Sequence, residues 1–404
     1  MREYIPECVK DMVPENVRET LMDIKVSFLD RPVRNFFKRD YPKCVLISYI
    51  AFPFRKGIKL SHTNTRESIE IARVFDGLGF RVDVADYRFR GALDYSRYDV
   101  IFGFGEPLIR SYYKRNNDIL TIFYGTGMHV CHQNHATLKR IEEVYHKKGV
   151  WLLESGRIVD KSWSVQTTLA DAIITLGNEV VAGSYRKYFR KKIYLMPVTY
   201  YKIVDFREVV RGKDFSEARK HYLWFGSSGL IHKGLDLLLE IFKQLPERHL
   251  HICGPIDREP KFKRCYSKEL YGTGNIHTYG FVDLSTRLFK KLVKRCGFVI
   301  FPSCSEGEAS SVINVMANAG LIPIVTRESG IPGNGFGIRI QAANEASIRQ
   351  ALDEAMLLSP RQLEERSYAC AVETSLSHSL DAFSEKLKST LRTILDEWRP
   401  HSPV

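Results

Sequence analysis

The chain has 404 residues, of which 44% are hydrophobic and 12% aromatic, and its formal net charge at pH 7 is +13. A chain of this length exceeds the size of a single hydrophobic core, so about two domains are expected. The positive charge favours an anionic partner such as nucleic acid, an acidic membrane surface or a phosphorylated substrate. Because no RNA-binding motif accompanies the charge, we expect no nucleic-acid partner.

The eight cysteines lie singly in apolar runs without a CxxC pair, which favours a reducing cytosol over a disulfide framework. The amino terminus lacks the basic and apolar regions of a signal peptide, and no stretch approaches the ~20 apolar residues of a membrane span. We therefore expect a cytoplasmic protein that is soluble or peripherally attached to the inner face of the plasma membrane.

Residues 1–42 are predicted to form an N-terminal helical extension. After them, short apolar runs alternate with amphipathic segments, a pattern typical of parallel α/β sheets. The predicted strands of this first series are residues 44–49, 80–87, 98–104, 119–124, 172–176 and 193–196. They predict a Rossmann-like domain over residues 43–205.

The sequence turns polar and charged between residues 198 and 220, and a second series of strands follows. It comprises residues 222–225, 250–253, 276–282, 298–302, 322–326 and 337–340. Its first helix carries Leu235, Leu238, Leu239 and Phe242 at i, i+3, i+4 and i+7, which form one apolar face. We predict a second Rossmann-like domain over residues 206–380 and a C-terminal helix over residues 381–404 that packs back on the first domain.

Two segments of the first domain follow predicted strands. Ser61, His62 and Thr63 lie before a helix, where an acceptor or a donor phosphate would be met. Thr63 or Asn64 as a simple helix cap is an interpretation at least as good. His129 ends the segment YGTGMH and is expected to face a cleft between the domains. A metal site formed with Cys131 and the following histidines is an alternative, but a second ligand pair is missing, so we predict no metal site.

Gly226, Ser227 and Ser228 follow a predicted strand, and Lys233 stands just before the next helix. Small residues, backbone amides and an ammonium group at a helix N-terminus suit a phosphate. The alternative is that the glycines only form a tight corner and that Lys233 is a solvated surface lysine.

The segment PSCSEGEASS follows another predicted strand and leads into a helix. In open α/β sheets, ligands bind beyond the carboxyl ends of the strands. There Glu306 would accept hydrogen bonds from sugar hydroxyls, and the amides of Ser310 and Ser311 would hold phosphate. An ordinary helix start, with Glu308 near the dipole and Ser310 as a cap, is the alternative.

These clusters lie within HYLWFGSSGLIHKGLDLLLEIF, HICGP, NIHTYGFVD and FPSCSEGEASSVINVMANAGLIPIVT, which resemble, in order and spacing, the donor half of family 4 of the retaining glycosyltransferases (glycosyltransferase group 1). The resemblance covers residues 221–340 well and the first domain more loosely. It implies a GT-B fold, in which two Rossmann-like domains face an interdomain cleft. It also implies that a sugar is transferred, with retention of anomeric configuration, from a nucleoside diphosphate sugar to a glycan or lipid-linked acceptor, without a cofactor or a metal ion.

By this resemblance, Lys233 neutralises the donor diphosphate, Glu306 orients the transferred sugar, and His129 lies near that sugar. Donor contacts are further implied for Gly226, Ser227, Ser228, Gly254, Phe281, Gly307, Ser310, Ser311 and Asn314. The family carries an arginine where this chain has Ser227 and a second glutamate where it has Asn314, so the diphosphate and the ribose meet less charge. A nucleotide-sugar-binding protein with impaired catalysis is therefore the alternative function.

A basic, aromatic segment ends a predicted helix of the first domain. Its cations are Arg186, Lys187, Arg190, Lys191 and Lys192. Such a segment predicts contact with an anionic membrane surface, which suits a lipid-linked acceptor. A solvated basic helix end is the alternative, because the helix dipole also favours cations there.

Overall fold

The computed structural model describes residues 24–58, 62–113, 118–160, 162–332 and 335–399. These residues form two six-stranded sheets in which the paired strands are parallel. Each sheet is built from one of the two predicted series of strands, so the expected architecture of two Rossmann-like domains is confirmed.

The first sheet has the strand order β2-β1-β3-β4-β5-β6. Its strands are β1 (Lys43–Tyr49), β2 (Phe80–Asp86), β3 (Val100–Gly103), β4 (Leu120–Gly125), β5 (Ala172–Leu176) and β6 (Ile193–Met196). The second sheet has the order β12-β11-β10-β7-β8-β9. Its strands are β7 (His221–Phe225), β8 (His249–Cys253), β9 (Ile276–Thr278), β10 (Phe298–Phe301), β11 (Ile322–Thr326) and β12 (Ile338–Ile340).

Helices connect the strands of both sheets. In the first domain they are α1 (Pro53–Lys56), α2 (Asn64–Gly77), α3 (Glu106–Ser111), α4 (Val130–Lys148), α5 (Trp163–Leu169) and α6 (Glu179–Arg186). Two short helices, α7 (Phe206–Arg211) and α8 (Phe215–Ala218), precede the second sheet. The remaining helices are α9 (Leu235–Phe242), α10 (Pro260–Cys265), α11 (Ser267–Gly272), α12 (Arg287–Arg295), α13 (Ser310–Ala319), α14 (Glu345–Leu357), α15 (Pro360–Ser377) and α16 (Leu380–Glu397).

Most strands are buried on both faces. Every residue of β4, β5, β10 and β11 is buried. Parallel strands covered by helices on both sides are continuous apolar runs in the sequence, which explains why the pattern located them. The predicted strand over residues 276–282 is too long, because β9 ends at Thr278 and the chain turns at Gly280, where φ is +69°.

The N-terminal helical extension predicted for residues 1–42 is mostly not helical in its described part, residues 24–42. Residues 1–23 lie outside the described part of the chain. A π-helical turn spans Lys25–Leu29, and Val33 then forms an antiparallel bridge with Val84 of β2. Arg34 pairs with Asp83 of the same strand at 2.6 Å. Residues 30–42 are therefore an irregular segment at the edge of the first sheet rather than a helix.

The chain crosses from the second domain back to the first at its end. Helix α16 packs against α2, and the Ser384 hydroxyl donates to Oε1 of Glu70 at 2.8 Å. Lys192, next to β6, pairs with Glu397 at 3.2 Å. Among the described residues, no helix is both long enough and apolar enough to cross a membrane.

Candidate active site

A cavity of about 460 Å³ lies between the two domains, where the carboxyl ends of strands from both sheets meet. The predicted site residues that line it are Lys233, Glu306, Gly226, Ser227, Phe281, Ser310, Ser311, Asn314, His62 and Thr63. Among the described residues, four further predicted ones do not line the cavity, namely Ser228, Gly254, Gly307 and His129. Ser61 lies outside the described residues.

Lys233 and Glu306 form an ion pair in this cavity. Nζ of Lys233 lies 2.7 Å from Oε1 of Glu306, and the two residues are only 3% and 8% exposed. Burial alone would raise the pKa of Glu306, but the cations Lys233 and Arg157 outweigh burial and lower this pKa to about 2. Glu306 is therefore ionised at neutral pH and suits an orienting role better than that of an acid.

The backbone at Gly234 brings Lys233 to Glu306. Gly234 has a φ of +69°, and a Cβ atom there would lie 2.4 Å from the carbonyl oxygen of Pro302. Only glycine allows this approach, so the start of α9 packs directly on the loop that follows β10. That loop is fixed in turn because the amide of Glu306 donates to the carbonyl of Glu328 at 2.7 Å.

His232 connects the loop before α9 to the first domain. Its Nδ1 lies 2.6 Å from the hydroxyl of Thr137, and its Nε2 donates to the carbonyl of Ser305. Because a carbonyl only accepts, the ring proton is assigned to Nε2, and Nδ1 accepts from Thr137. Burial lowers the pKa of His232 to about 3, so the ring is neutral. It thereby holds two loops of the site against helix α4.

Asn314 and Ser227, the two departures from the family pattern, both line the cavity. The side-chain oxygen of Asn314 accepts from the amide of Tyr201 at 2.9 Å, and its amide nitrogen donates to the carbonyl of Ser310 at 2.7 Å. Tyr201 belongs to the segment between the two sheets. Asn314 therefore anchors this linker to α13 at the position where the family has a ribose-binding glutamate.

Phe281, Ser310 and Ser311 line the second-domain side of the cavity. Phe281 is 62% exposed at the edge of the cavity. Ser310 and Ser311 are the first residues of α13, so their backbone amides belong to the helix turn that lacks intrahelical acceptors. An aromatic face and a helix N-terminus are thus available on the second-domain side of the cavity.

Gly307 and Gly254 pack closely against neighbouring backbone and are not among the described residues that line the cavity, so a donor contact of either stays a prediction. A Cβ atom at Gly307 would lie 2.6 Å from the carbonyl oxygen of Thr126, so the loop after β10 meets the first domain there. A Cβ atom at Gly254 would lie 3.0 Å from the carbonyl oxygen of Gly226. Both glycines shape the walls indirectly.

The structure places His129 away from the cavity, so the expectation that it faces the cleft is wrong. His129 is 1% exposed and caps α4, because its Nδ1 accepts from the amide of Cys131. Its Nε2 lies 2.9 Å from the hydroxyl of Thr167, and its ring stacks on Tyr188 at 4.0 Å. Burial lowers the pKa of His129 to about 4. The described residues also contain no group of three or more His, Cys, Asp or Glu side chains arranged for a metal ion.

His62 and Thr63 line the cavity from the first domain. Thr63 occupies the N-cap position of α2, but its side chain makes no capping hydrogen bond, so capping does not account for it. His62 is exposed at the edge of the cavity, where partial desolvation and then the nearby charges of Arg157 and Lys233 lower its pKa. The first-domain wall therefore adds a neutral imidazole to the site.

Sequence reasoning missed Arg157, which belongs to the loop between α4 and α5. Its Nη1 lies 3.0 Å from Oε2 of Glu306, so Glu306 is held between two cations from different domains. Its sequence neighbourhood, WLLESGRIVD, carries no motif. Only the packing of the two domains brings it to the site.

An aromatic wall was also missed. Tyr49, Tyr87, Phe104 and Trp163 line the first-domain side of the cavity. The ring of Phe104 lies 4.8 Å from that of Trp163 and 5.2 Å from that of Tyr87. The four residues come from four separate segments, so no local pattern indicated them.

The basic segment after α6 is exposed but partly neutralised. Arg186 pairs with Glu179 at 2.7 Å, Lys191 with Asp171 at 3.5 Å, and Lys192 with Glu397 at 3.2 Å. Lys187 and Arg190 are exposed as well. Contact of this segment with an anionic membrane stays a prediction.

Two parallel α/β domains whose strand ends meet across a cavity define the GT-B class of folds. Sucrose-phosphate synthase from Thermosynechococcus elongatus matches the chain with a TM-score of 0.60 at 13% identity, covering 88% of this chain and 100% of that one. An α,α-trehalose 6-phosphate synthase from Burkholderia multivorans matches with a TM-score of 0.56 at 10% identity, covering 88% and 99%. The HepE protein of Anabaena, in complex with UDP and glucose, matches with a TM-score of 0.54 at 10% identity, covering 87% and 100%.

The second domain also matches a sequence family. The model of the family "Glycosyl transferases group 1" matches residues 207–368, which include the Lys233 and Glu306 segments. The chain matches no curated protein. The GT-B fold and the resemblance of the second domain to group 1 glycosyltransferases, both expected from the sequence, are thereby confirmed.

Proposed function

We propose that this protein is a retaining, hexosyltransferase-type glycosyltransferase that moves a sugar from a nucleoside diphosphate sugar to a glycan or lipid-linked acceptor. The observation that carries this proposal is the buried ion pair of Lys233 and Glu306, at 2.7 Å, inside the cavity between the domains. A fold alone does not establish function, so the proposal rests on this pair, which offers a cation for a diphosphate and a carboxylate for sugar hydroxyls in one cavity.

The second-domain wall offers contacts for each part of the donor. The ammonium of Lys233 and the amides at the start of α13 would hold the diphosphate. The exposed ring of Phe281 offers a face on which a nucleobase can stack. Glu306, ionised and acceptor-only, would accept hydrogen bonds from hydroxyls of the transferred sugar.

The first-domain wall suits a carbohydrate acceptor. The rings of Tyr87, Phe104 and Trp163 present apolar faces, and His62 adds a neutral imidazole that forms hydrogen bonds. Sugars combine apolar C–H faces with hydroxyl groups, so this mixture of surfaces fits them. The exposed basic segment at residues 184–192 would favour an acceptor held at an anionic membrane.

In the proposed reaction, the bond between the anomeric carbon and the diphosphate oxygen breaks. The acceptor oxygen forms the new bond on the same face of the sugar, and its proton passes to the departing phosphate oxygen. This course needs no protein nucleophile and no divalent metal, because Lys233 and helix amides would stabilise the charge on the leaving group. Glu306 would fix the sugar in position.

A nucleotide-release screen over UDP-, GDP-, ADP- and CDP-sugars, with and without simple glycan acceptors and EDTA, tests the proposal. We expect one donor to release its nucleoside diphosphate in the presence of EDTA, with Lys233→Ala losing about 100-fold or more of the rate. Lys268→Ala, outside the cavity lining, is the matched control. Equal rates for Lys233→Ala and the unaltered protein would refute the site.

A nucleotide-sugar-binding protein with impaired catalysis is the second candidate. It is favoured by Asn314, whose side-chain oxygen and nitrogen are both engaged by Tyr201 and Ser310 where the family has a second glutamate. Saturable binding of a nucleoside diphosphate sugar without turnover, across the whole acceptor panel, would support this candidate over the enzyme.

A further inference from the structure

We propose that Arg157, reaching across from the first domain, binds the donor diphosphate and takes the place of the arginine that position 227 lacks. This inference rests on the proposed function and assigns one further residue to it. It is carried by the location of the guanidinium group, which lies beside Glu306 although its backbone belongs to the other domain.

Arg157 passes over the same loop that contains Ser227. The site of a Cβ atom on Gly229 lies 2.8 Å from Cγ of Arg157, so the arginine stem packs directly on this glycine. Gly229 has a φ of +91°, which glycine adopts readily, and its lack of a Cβ atom leaves room for the arginine side chain. The guanidinium therefore reaches the cavity alongside the loop that carries the arginine in the family.

The backbone around Arg157 is fixed by contacts between the domains. The amides of Ile231 and His232 both donate to the carbonyl of Ser155 at 3.2 Å. The side chain of Gln133 donates to the carbonyl of Arg157 at 3.1 Å. The approach of Arg157 is thus built into the packing of two loops and does not depend on the ion pair alone.

The charges of the cavity favour a diphosphate at this place. Among the described residues that line the cavity, Lys233 is the only lysine and Arg157 the only arginine. Glu306 is the carboxylate in contact with both cations. The other carboxylates that line the cavity accept hydrogen bonds from backbone amides elsewhere; they are Glu67, Asp283 and Glu308. Among the described carboxylates, an incoming diphosphate therefore competes with Glu306 alone for the two cations. A guanidinium binds phosphate oxygens through paired N–H donors, and its transfer to phosphate would release Glu306 to accept sugar hydroxyls.

This arrangement couples donor binding to the contact between the domains. In the family pattern, both diphosphate-binding cations lie in the second domain. Here Arg157 comes from the first domain, so the second domain alone supplies only Lys233. Donor diphosphate would therefore stabilise the closed arrangement of the two domains.

Titration calorimetry with UDP, GDP, ADP and CDP on the full chain tests the inference. For the diphosphate that binds most tightly, Arg157→Ala is expected to raise Kd by about 10- to 100-fold, and Arg157→Lys by less. Binding of the matching nucleoside, followed by saturation-transfer NMR, is expected to be unchanged. The matched control is Arg361→Ala, at a side chain that is 88% exposed.

The double variant Ser227→Arg with Arg157→Ala returns the guanidinium to the family position and is expected to recover most of the lost affinity. Unchanged diphosphate affinity in Arg157→Ala, with clear loss in Lys233→Ala, would overturn this inference and leave the proposed function standing. Equal losses for nucleoside and diphosphate would show a merely structural arginine and overturn it too. Absence of diphosphate binding by the unaltered protein would refute the proposed function itself.

Discussion

Arg140 of α4 and Asp236 of α9 pair across the domain boundary at 2.5 Å, and their side chains are only 6% and 5% exposed. The pair lies beside the loop that carries Lys233. The pair joins a helix of the first domain to the helix that follows Lys233, so its contribution to stability also bears on the geometry of the site.

Removal of one partner of this pair is expected to be costly. Asp236→Ala leaves the Arg140 guanidinium buried, with only the half-exposed Glu143 as a partner, and should lower the free energy of unfolding by about 3–5 kcal/mol. Urea unfolding followed by circular dichroism measures this loss. Glu365→Ala, in an exposed pair with Arg361, is the control and should cost less than about 1 kcal/mol. A loss of similar size in both variants would contradict a special role for the buried pair.

Glu306→Gln separates binding from turnover. The substitution removes the carboxylate that occupies Lys233 and Arg157, so nucleoside diphosphate affinity should stay the same or rise. Transfer should fall by about 100-fold or more in kcat, because an amide holds the sugar hydroxyls less well than a carboxylate. Calorimetry and initial-rate kinetics measure the two effects. A parallel loss of affinity and kcat would indicate a structural role for Glu306.

Gly234→Ala should disturb the site through the backbone. The new Cβ atom would meet the carbonyl oxygen of Pro302 at 2.4 Å, in a residue with φ of +69°. We expect a loss of at least about 1–2 kcal/mol in stability, from left-handed strain alone, and reduced donor affinity as Lys233 moves. Gly183→Ala, within α6 and with no atom within 4 Å of the added Cβ, should instead stabilise by about 0.5–1 kcal/mol. Equal melting temperatures for the two variants would show that the close packing is not required.

Buried neutral histidines should make the protein sensitive to acid. Burial, together with neighbouring histidines, lowers the pKa of His251 to about 2. The unfolded chain binds this proton below about pH 6.5, whereas the folded chain does not, so stability falls as the pH drops from 6.5 towards 2. The slope for one such group is about 1.4 kcal/mol per pH unit.

His251→Gln should therefore reduce the slope of unfolding free energy between pH 6 and pH 5 by about 1.4 kcal/mol per pH unit. His146→Gln, at a side chain that is 71% exposed, is the matched control. Urea unfolding at a series of pH values gives both slopes. An unchanged slope in His251→Gln would mean that the ring takes up its proton in the folded state.

Most of the fold was predictable because its strands carry their own signal. Residues 172–176 and 193–196 match β5 and β6 at both ends. Every residue of β5 is buried, and strands buried on both faces are uninterrupted apolar runs between polar segments. β6 is only partly buried, but it is also a short apolar run that follows a charged segment. Lys233 and Glu306 were predictable because each follows a strand at its carboxyl end, where α/β folds place ligands.

The remaining errors come from contacts that a sequence does not display. The environment of His129 depends on Cys131, Thr167 and Tyr188, which convert a loop histidine into a buried cap. Arg157 reaches Glu306 only through the packing of one domain on the other. Val33 pairs with Val84 of β2 at the edge of the sheet, and a local sequence pattern does not specify which strand such a segment will pair with.

The most direct test of the central claim is a crystal structure of the protein with the nucleoside diphosphate that it binds most tightly. We expect phosphate oxygens within hydrogen-bonding distance of Nζ of Lys233, with the Lys233–Glu306 contact of 2.7 Å lengthened or broken. A nucleotide bound elsewhere, with this ion pair intact, would contradict the assignment of Lys233 and Glu306 as the centre of the donor site.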